Sequence, residues 1–274
     1  MQRLNDLKNF SEGLPTQEKK TPLLFVGHGS PMNAIEENEF NKKWEALGNE
    51  IEKPTAILCI SAHWETNGTF VTAMEIPRTI HDFYGFPNEL FNVEYPAPGN
   101  VSLALETKQT INKTEVMLDN EWGLDHGTWS VLKHFYPNAD VPVVQLSIDH
   151  NKPAKWHYEL AKEISCLRNK GVLIMGSGNI VHNLSLVDWH NPNNGYDWAI
   201  NISEKFKSLI EENNHEELIN YSNLGKEAQL AIPTPEHFLP LLYVLALKGK
   251  DETINFFNDS IVMGSLSMTS LLIS

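Results

Sequence analysis

Cysteine is scarce in this sequence. Cys59 and Cys166 are the only two among 274 residues, they stand far apart, and no CxxC pair exists. That excludes a disulfide scaffold and a thiolate zinc knot and points to a reducing, cytoplasmic setting. No run of about 18 or more apolar residues occurs, so no membrane-spanning helix and no membrane partner are expected. Positive charge is short as well. The 21 Lys and Arg against 35 Asp and Glu leave a formal net charge of −14, and the basic residues are scattered, so nucleic acid is not expected as a partner. Residues 1–20 are polar and charged without an apolar segment, which argues against a secretory signal and reads as an N-terminal polar arm. Internal repeats, low-complexity tracts and Pro/Ser-rich linkers are missing too. One domain over residues 21–274 is therefore expected.

Several short apolar runs rich in Val, Ile and Leu read as buried strands: residues 23–26, 56–61, 141–148 and 172–176. Residues 69–73 read as an edge strand, and residues 261–268 as a late strand added to the same sheet. Helical periodicity falls between them, over residues 36–51, 101–111, 128–135, 153–167, 196–210 and 236–247. Strands alternating with helices predict an α/β fold: a single domain with a mainly parallel or mixed central sheet flanked by helices. Residues 78–100 are broken by Pro87, Pro96, Pro98, Gly85 and Gly99 yet carry Phe83, Tyr84, Phe86, Phe91 and Tyr95. A long aromatic loop inside a compact domain is usually functional.

Four of the eleven histidines sit at telling places. His28 follows the strand Leu-Leu-Phe-Val, and His63 follows Ala-Ile-Leu-Cys-Ile. His182 lies just past Val-Leu-Ile-Met, and His237 opens the last long helix in Pro-Thr-Pro-Glu-His-Phe-Leu-Pro. In open parallel sheets the carboxyl ends of strands line the ligand crevice, so three of these imidazoles emerge on one rim and a loop can bring the fourth there. Neutral imidazole binds Zn, Fe, Cu or Ni, and strand ends hold ligands rigidly. A lone histidine after a strand is more often a surface or hydrogen-bonded core residue; four at such positions, in segments that also carry Gly, Ser or Pro, favour a metal site. His126, in Asp-His-Gly-Thr, reads either as a turn and helix cap or as a further site residue. His81 belongs to the aromatic loop, where it shapes a pocket or holds the loop by bonding Asp82. A GxSxG nucleophile elbow, a GxxxxGK[ST] phosphate loop and a GxGxxG after the first strand are all lacking.

These residues carry a resemblance. Phe25-Val-Gly-His-Gly-Ser-Pro-Met, Ser61-Ala-His-Trp-Glu, His81-Asp-Phe-Tyr-Gly-Phe-Pro, Tyr95-Pro-Ala-Pro-Gly, Leu124-Asp-His-Gly-Thr-Trp, Gly176-Ser-Gly-Asn-Ile-Val-His-Asn and Pro233-Thr-Pro-Glu-His-Phe-Leu-Pro stand in one order from about residue 22 to the end. In that order they resemble the DOPA-type extradiol ring-opening dioxygenases of the class III superfamily. The resemblance implies one divalent metal, Fe(II) or Zn(II), a small catecholic substrate, and O2 as co-substrate. It implies metal ligation by His28, His63 and His237. His182 is implied as the acid/base residue or a further ligand, His126 as a second catalytic residue, and His81, Phe83 and Tyr84 as substrate contacts. Extradiol sites generally use two His and one carboxylate; here the third position falls on His237, with Glu236 adjacent. The chain would act as a monomer or small homo-oligomer. The competing expectation is a zinc hydrolase using the same histidines to activate water.

Overall fold

The strands over residues 23–27, 56–61 and 172–178 form where the apolar runs predict, and their ends fix the site. The structure, a computed structural model, describes residues 15, 16 and 19–274, so the arm expected over residues 1–20 lies mostly outside the described residues. The strands are β1 (Leu23–Gly27), β2 (Ala56–Ser61), β3 (Glu65–Thr66), β4 (Thr69–Thr72), β5 (Val116–Asp119), β6 (Val143–Gln145), β7 (Ile148–Asp149), β8 (Val172–Gly178), β9 (Ile254–Phe257), β10 (Ile261–Val262), β11 (Leu266–Ser267) and β12 (Ser270–Ile273). The central sheet has the order β6-β2-β8-β1-β12-β9. Neighbours from β6 to β1 run parallel, while β12 and β9 are antiparallel. The domain is therefore α/β with a mixed six-stranded sheet.

Period-two alternation splits the core into two layers. In β2, Ala56, Leu58 and Ile60 face one buried cluster with the helices Ala154–Glu163, Asp197–Glu211 and Leu239–Ala246. Ile57 and Cys59 face the other, packed by Trp44 and Leu47 of helix Glu39–Glu50 and by Val131 and Leu132 of helix His126–Phe135. Both faces are covered, so the central strands read as continuous apolar runs. No helix among the described residues is long and apolar enough to cross a membrane.

Register sets the rim. Ser61 of β2 and Val26 of β1 both pair with Ser177 of β8, and Gly27 pairs with Gly178. The three strands thus end level, and the chain leaves each of them on the same edge.

Four expectations change. The run over residues 141–148 splits: β6 pairs with β2, then Leu146 bridges Val71 and β7 pairs with β3. β4 is not an edge of the main sheet but pairs with β5 in a separate two-stranded ribbon. Residues 261–268 fold back as the hairpin β10–β11, because Met263 (φ 48°) and Gly264 (φ 80°) turn the chain. The strands that extend the sheet are β9 and β12. His237 also precedes the last helix instead of opening it. Pro233 and Pro235 keep that segment out of regular helix, and the Pro235 carbonyl accepts from Phe238 N and Leu239 N.

Candidate metal centre

Three of the rim histidines are held by backbone bonds to a neighbouring element. The His28 N–H donates to Gly178 O at 3.1 Å, and the Asn179 N–H donates to His237 O at 2.9 Å. His182 donates its backbone N–H to Ala231 O at 2.8 Å. The imidazoles converge. Ring centroids of His28 and His63 are 4.9 Å apart, His28 and His237 5.3 Å, and His63 and His237 5.1 Å. His126 joins them 3.9 Å from His63, and His182 stacks on His237 at 3.5 Å with ring planes 8° apart. Ligand atoms of His28, His63 and His126 lie within 4.8 Å of one another, and so do those of His182, Glu236 and His237.

Hydrogen bonds decide which nitrogens face the cavity. The Ser177 hydroxyl donates to Gly127 O at 2.5 Å, so it accepts from His28 Nδ1 at 3.0 Å. The His28 proton is then on Nδ1, and Nε2 is a bare lone pair. His237 Nδ1 donates to Glu236 Oε1 at 3.0 Å, leaving Nε2 buried with no hydrogen-bond partner among the described residues. A buried acceptor without a donor is costly, and a cation is the partner that suits it. His28 Nε2 and His63 Nε2 face each other at 3.1 Å. Two nitrogens about 2.0–2.1 Å from one ion at a tetrahedral angle lie about 3.3–3.4 Å apart, so these two are a few tenths of an ångström closer than ligands of one ion.

Electrostatics agrees. Burial, helped by the other histidines, lowers the pKa of His28 and His63 well below the usual imidazole value. Burial also lowers His237, against the opposing pull of Glu236. Neutral imidazole is the form a metal needs. Burial alone would raise the Glu236 carboxyl, but hydrogen bonds from His237 and Thr234 hold it down at about 2. His182 is lowered to about 3, by burial first and then by His237.

The cavity above these rings has a volume of about 300 Å³, and its walls include Phe83, Phe86, Leu184, Trp189 and Met263. Phe83 is buried and packs edge-on against His126 at 5.6 Å. Tyr84 stands at the mouth and is 91% exposed. His81 is not brought to the cavity wall: its Nε2 bonds Val93 O at 2.9 Å and its ring packs beside Phe83 and Trp129. Nor does it bond Asp82. That carboxylate reaches His126 instead, accepting from its N–H at 2.9 Å and from Nδ1 at 3.0 Å, and it lies 3.4 Å from His63 Nδ1. Asp82 and Ser177 are site residues the sequence reading does not select. The one signal for Ser177 is a hydroxyl closing an otherwise apolar, buried strand.

A mixed α/β sheet with an imidazole cluster on its rim and an aromatic cavity above defines a class. Residues 22–271 match the family described as the catalytic LigB subunit of aromatic ring-opening dioxygenase. The chain belongs to that family and is an extradiol aromatic ring-opening dioxygenase, an oxidoreductase. Enzymes of this family use a metal ion, and the histidine cluster suits one. A protein of Escherichia coli (strain K12) named 4,5-DOPA dioxygenase extradiol is 47% identical over 256 residues, covering 92% of this chain and 94% of its own length. One of the same name from Beta vulgaris is 35% identical over 260 residues, covering 90% and 94%. The crystal structure of an uncharacterized Escherichia coli K12 protein superposes with a TM-score of 0.82 at 43% identity, covering 93% of this chain and 100% of that one.

Proposed function

We propose that this chain opens the ring of a small catechol such as 3,4-dihydroxyphenylalanine beside its diol, with O2 as co-substrate and one divalent ion, Fe(II) in the active form, held by His28, His63 and His237. The observation that carries this is the set of Nε2 lone pairs directed into one aromatic-walled cavity: His28 and His63 at 3.1 Å, with the buried, unpartnered His237 beside them. The names of the E. coli and Beta vulgaris relatives support the choice of catechol. When bound, the ion supplies Lewis acidity toward the diol oxygens and a route for electrons from ring to O2.

The remaining roles belong to side chains. His182 lies against His237 with nearly parallel rings, so their in-plane lone pairs do not converge on one point. That favours His182 as a base over a fourth ligand. A neutral imidazole nitrogen there takes the proton of a diol hydroxyl and returns it as the ring opens. His126, with Nδ1 committed to Asp82, offers Nε2 as a second acceptor beside the diol. Phe83 and Phe86 pack the substrate ring, Tyr84 covers its outer end, and His81 backs Phe83. The far-separated free cysteines support a cytoplasmic setting.

The test is oxygen uptake. Fe(II)-loaded protein given 3,4-dihydroxyphenylalanine or plain catechol should consume one O2 per catechol lost and form a semialdehyde-type product. Turnover of esters or amides with Zn(II) and no oxygen uptake with any catechol would refute the proposal in favour of hydrolysis.

A further inference from the structure

Asp82 sits in the aromatic loop but is pinned beside the rim, because Ile80 N–H donates to Leu124 O and Leu124 N–H donates to Arg78 O, both at 2.8 Å. Its two oxygens face the same pair of histidines. Oδ1 accepts the His126 backbone N–H, while Oδ2 lies 3.0 Å from His126 Nδ1 and 3.4 Å from His63 Nδ1. An ionised carboxylate only accepts hydrogen bonds, and a neutral imidazole carries one proton. The His126 ring therefore keeps that proton on Nδ1, and the carboxylate charge 3.4 Å from His63 Nδ1 favours the same tautomer there.

A competing arrangement shows why this matters. His63 Nε2 faces the bare Nε2 of His28 at 3.1 Å. If the His63 proton moved to Nε2, it would donate to His28 Nε2. That single hydrogen bond would occupy both nitrogens that face a metal ion and leave the site satisfied without one. What opposes it is the Asp82 carboxylate, whose negative charge lies 3.4 Å from His63 Nδ1 and favours a proton there.

We infer that Asp82 is a positioning residue that fixes the tautomers of His63 and His126 together and so keeps His63 from closing on His28. The inference rests on the reading that His28 and His63 hold the metal. Partners of ligating histidines that lie outside the coordination sphere typically contribute about 10–100-fold in metal affinity. Here one carboxylate serves two rings.

Asp82→Asn tests this sharply, because an amide cannot replace both functions. With its oxygen toward the imidazoles, its NH2 meets the His126 backbone N–H; turned over, its NH2 meets both Nδ1 atoms. In metal-free protein, at a pH where the imidazoles are neutral, nitrogen-15 imidazole spectra should report His63 as the Nδ1–H tautomer in the parent chain. In Asp82→Asn and in Asp82→Ala they should report Nε2–H. Chelator competition should show metal affinity about 10–100-fold weaker in both variants, with circular dichroism showing the fold retained. If either variant fails to fold, the other gives the answer. An unchanged His63 tautomer, or unchanged metal affinity in a folded variant, overturns the inference. A parent chain that binds no metal would instead overturn the reading of the site on which the inference rests.

Discussion

Gly178→Ala should weaken the metal centre while sparing the fold, and the reason is distance. Gly178 ends β8, where its carbonyl accepts from His28 N–H and the next residue's N–H holds the His237 carbonyl. Its backbone is not in the left-handed region, so space is the only obstacle to a side chain. A Cβ built there would lie 2.1 Å from His237 O and 3.1 Å from His237 C, where real contacts keep at least 3.0 Å. Roughly 0.9 Å must be found, and a functional site tolerates only about 0.5 Å. If the His237 segment retreats, its Nε2 leaves the other imidazoles. If β8 gives way, the bond that holds His28 is disturbed. Overpacking of this kind costs about 1–3 kcal/mol, within the roughly 5–15 kcal/mol that keeps a domain folded. We expect metal affinity to fall by at least about tenfold, near 1.4 kcal/mol. Chelator competition measures the affinity, and thermal unfolding in excess chelator measures the fold separately. A folded Gly178→Ala protein with parental metal affinity would refute the link between this contact and His237.

His182→Gln should keep metal and catechol binding but lose about 10²–10⁴-fold in oxygen consumption, the usual cost of a missing acid/base; parallel loss of metal would make His182 a ligand. Glu236→Ala should bind a full equivalent of metal with weaker affinity if the carboxylate that accepts from His237 Nδ1 acts by orienting that ring, whereas His237→Ala should bind less than an equivalent; elemental analysis after gel filtration decides between them. Arg168→Ala should destabilise the fold by about 3–5 kcal/mol, since the buried guanidinium donates to Thr21 O, Leu247 O and Glu252 Oε2. Burial would raise the Glu252 carboxyl, but Arg168 and the Gly249 N–H overcome that and hold it below its usual range. The stability this carboxylate contributes is therefore present above the unfolded carboxyl pKa and lost as pH falls through the folded one, and denaturant titrations should show Arg168→Ala with a shallower acid limb.

β1, β2 and β8 are legible in the sequence because burial on both faces demands uninterrupted apolar residues, and each of them begins at or next to the residue its pattern indicates. β9 and β12 are not legible. Ile254-Asn-Phe-Phe and Ser270-Leu-Leu-Ile are short, and nothing local says that they pair with each other and then with β1. The same limit explains β10 and β11: their run of residues looks continuous, and only the positive φ at Met263 and Gly264 reveals a reversal. Sheet partners over two hundred residues apart are a property of the packed chain, not of any window in it.

The rim histidines are legible for a related reason, since a strand's end carries its next residue to the sheet edge whatever the loop does afterwards. Their chemistry is another matter. Whether His28 presents Nε2 depends on Ser177, 149 residues away, and Ser177 is an acceptor only because Gly127 O takes its proton. His63 depends likewise on Asp82, whose sequence neighbour His81 turns away to Val93. Asp82 looks like His81's partner in one dimension and serves His126 and His63 in three. Residue type says that an imidazole can bind a metal; the proton on its far nitrogen decides whether it will, and that proton is placed by residues remote in the chain.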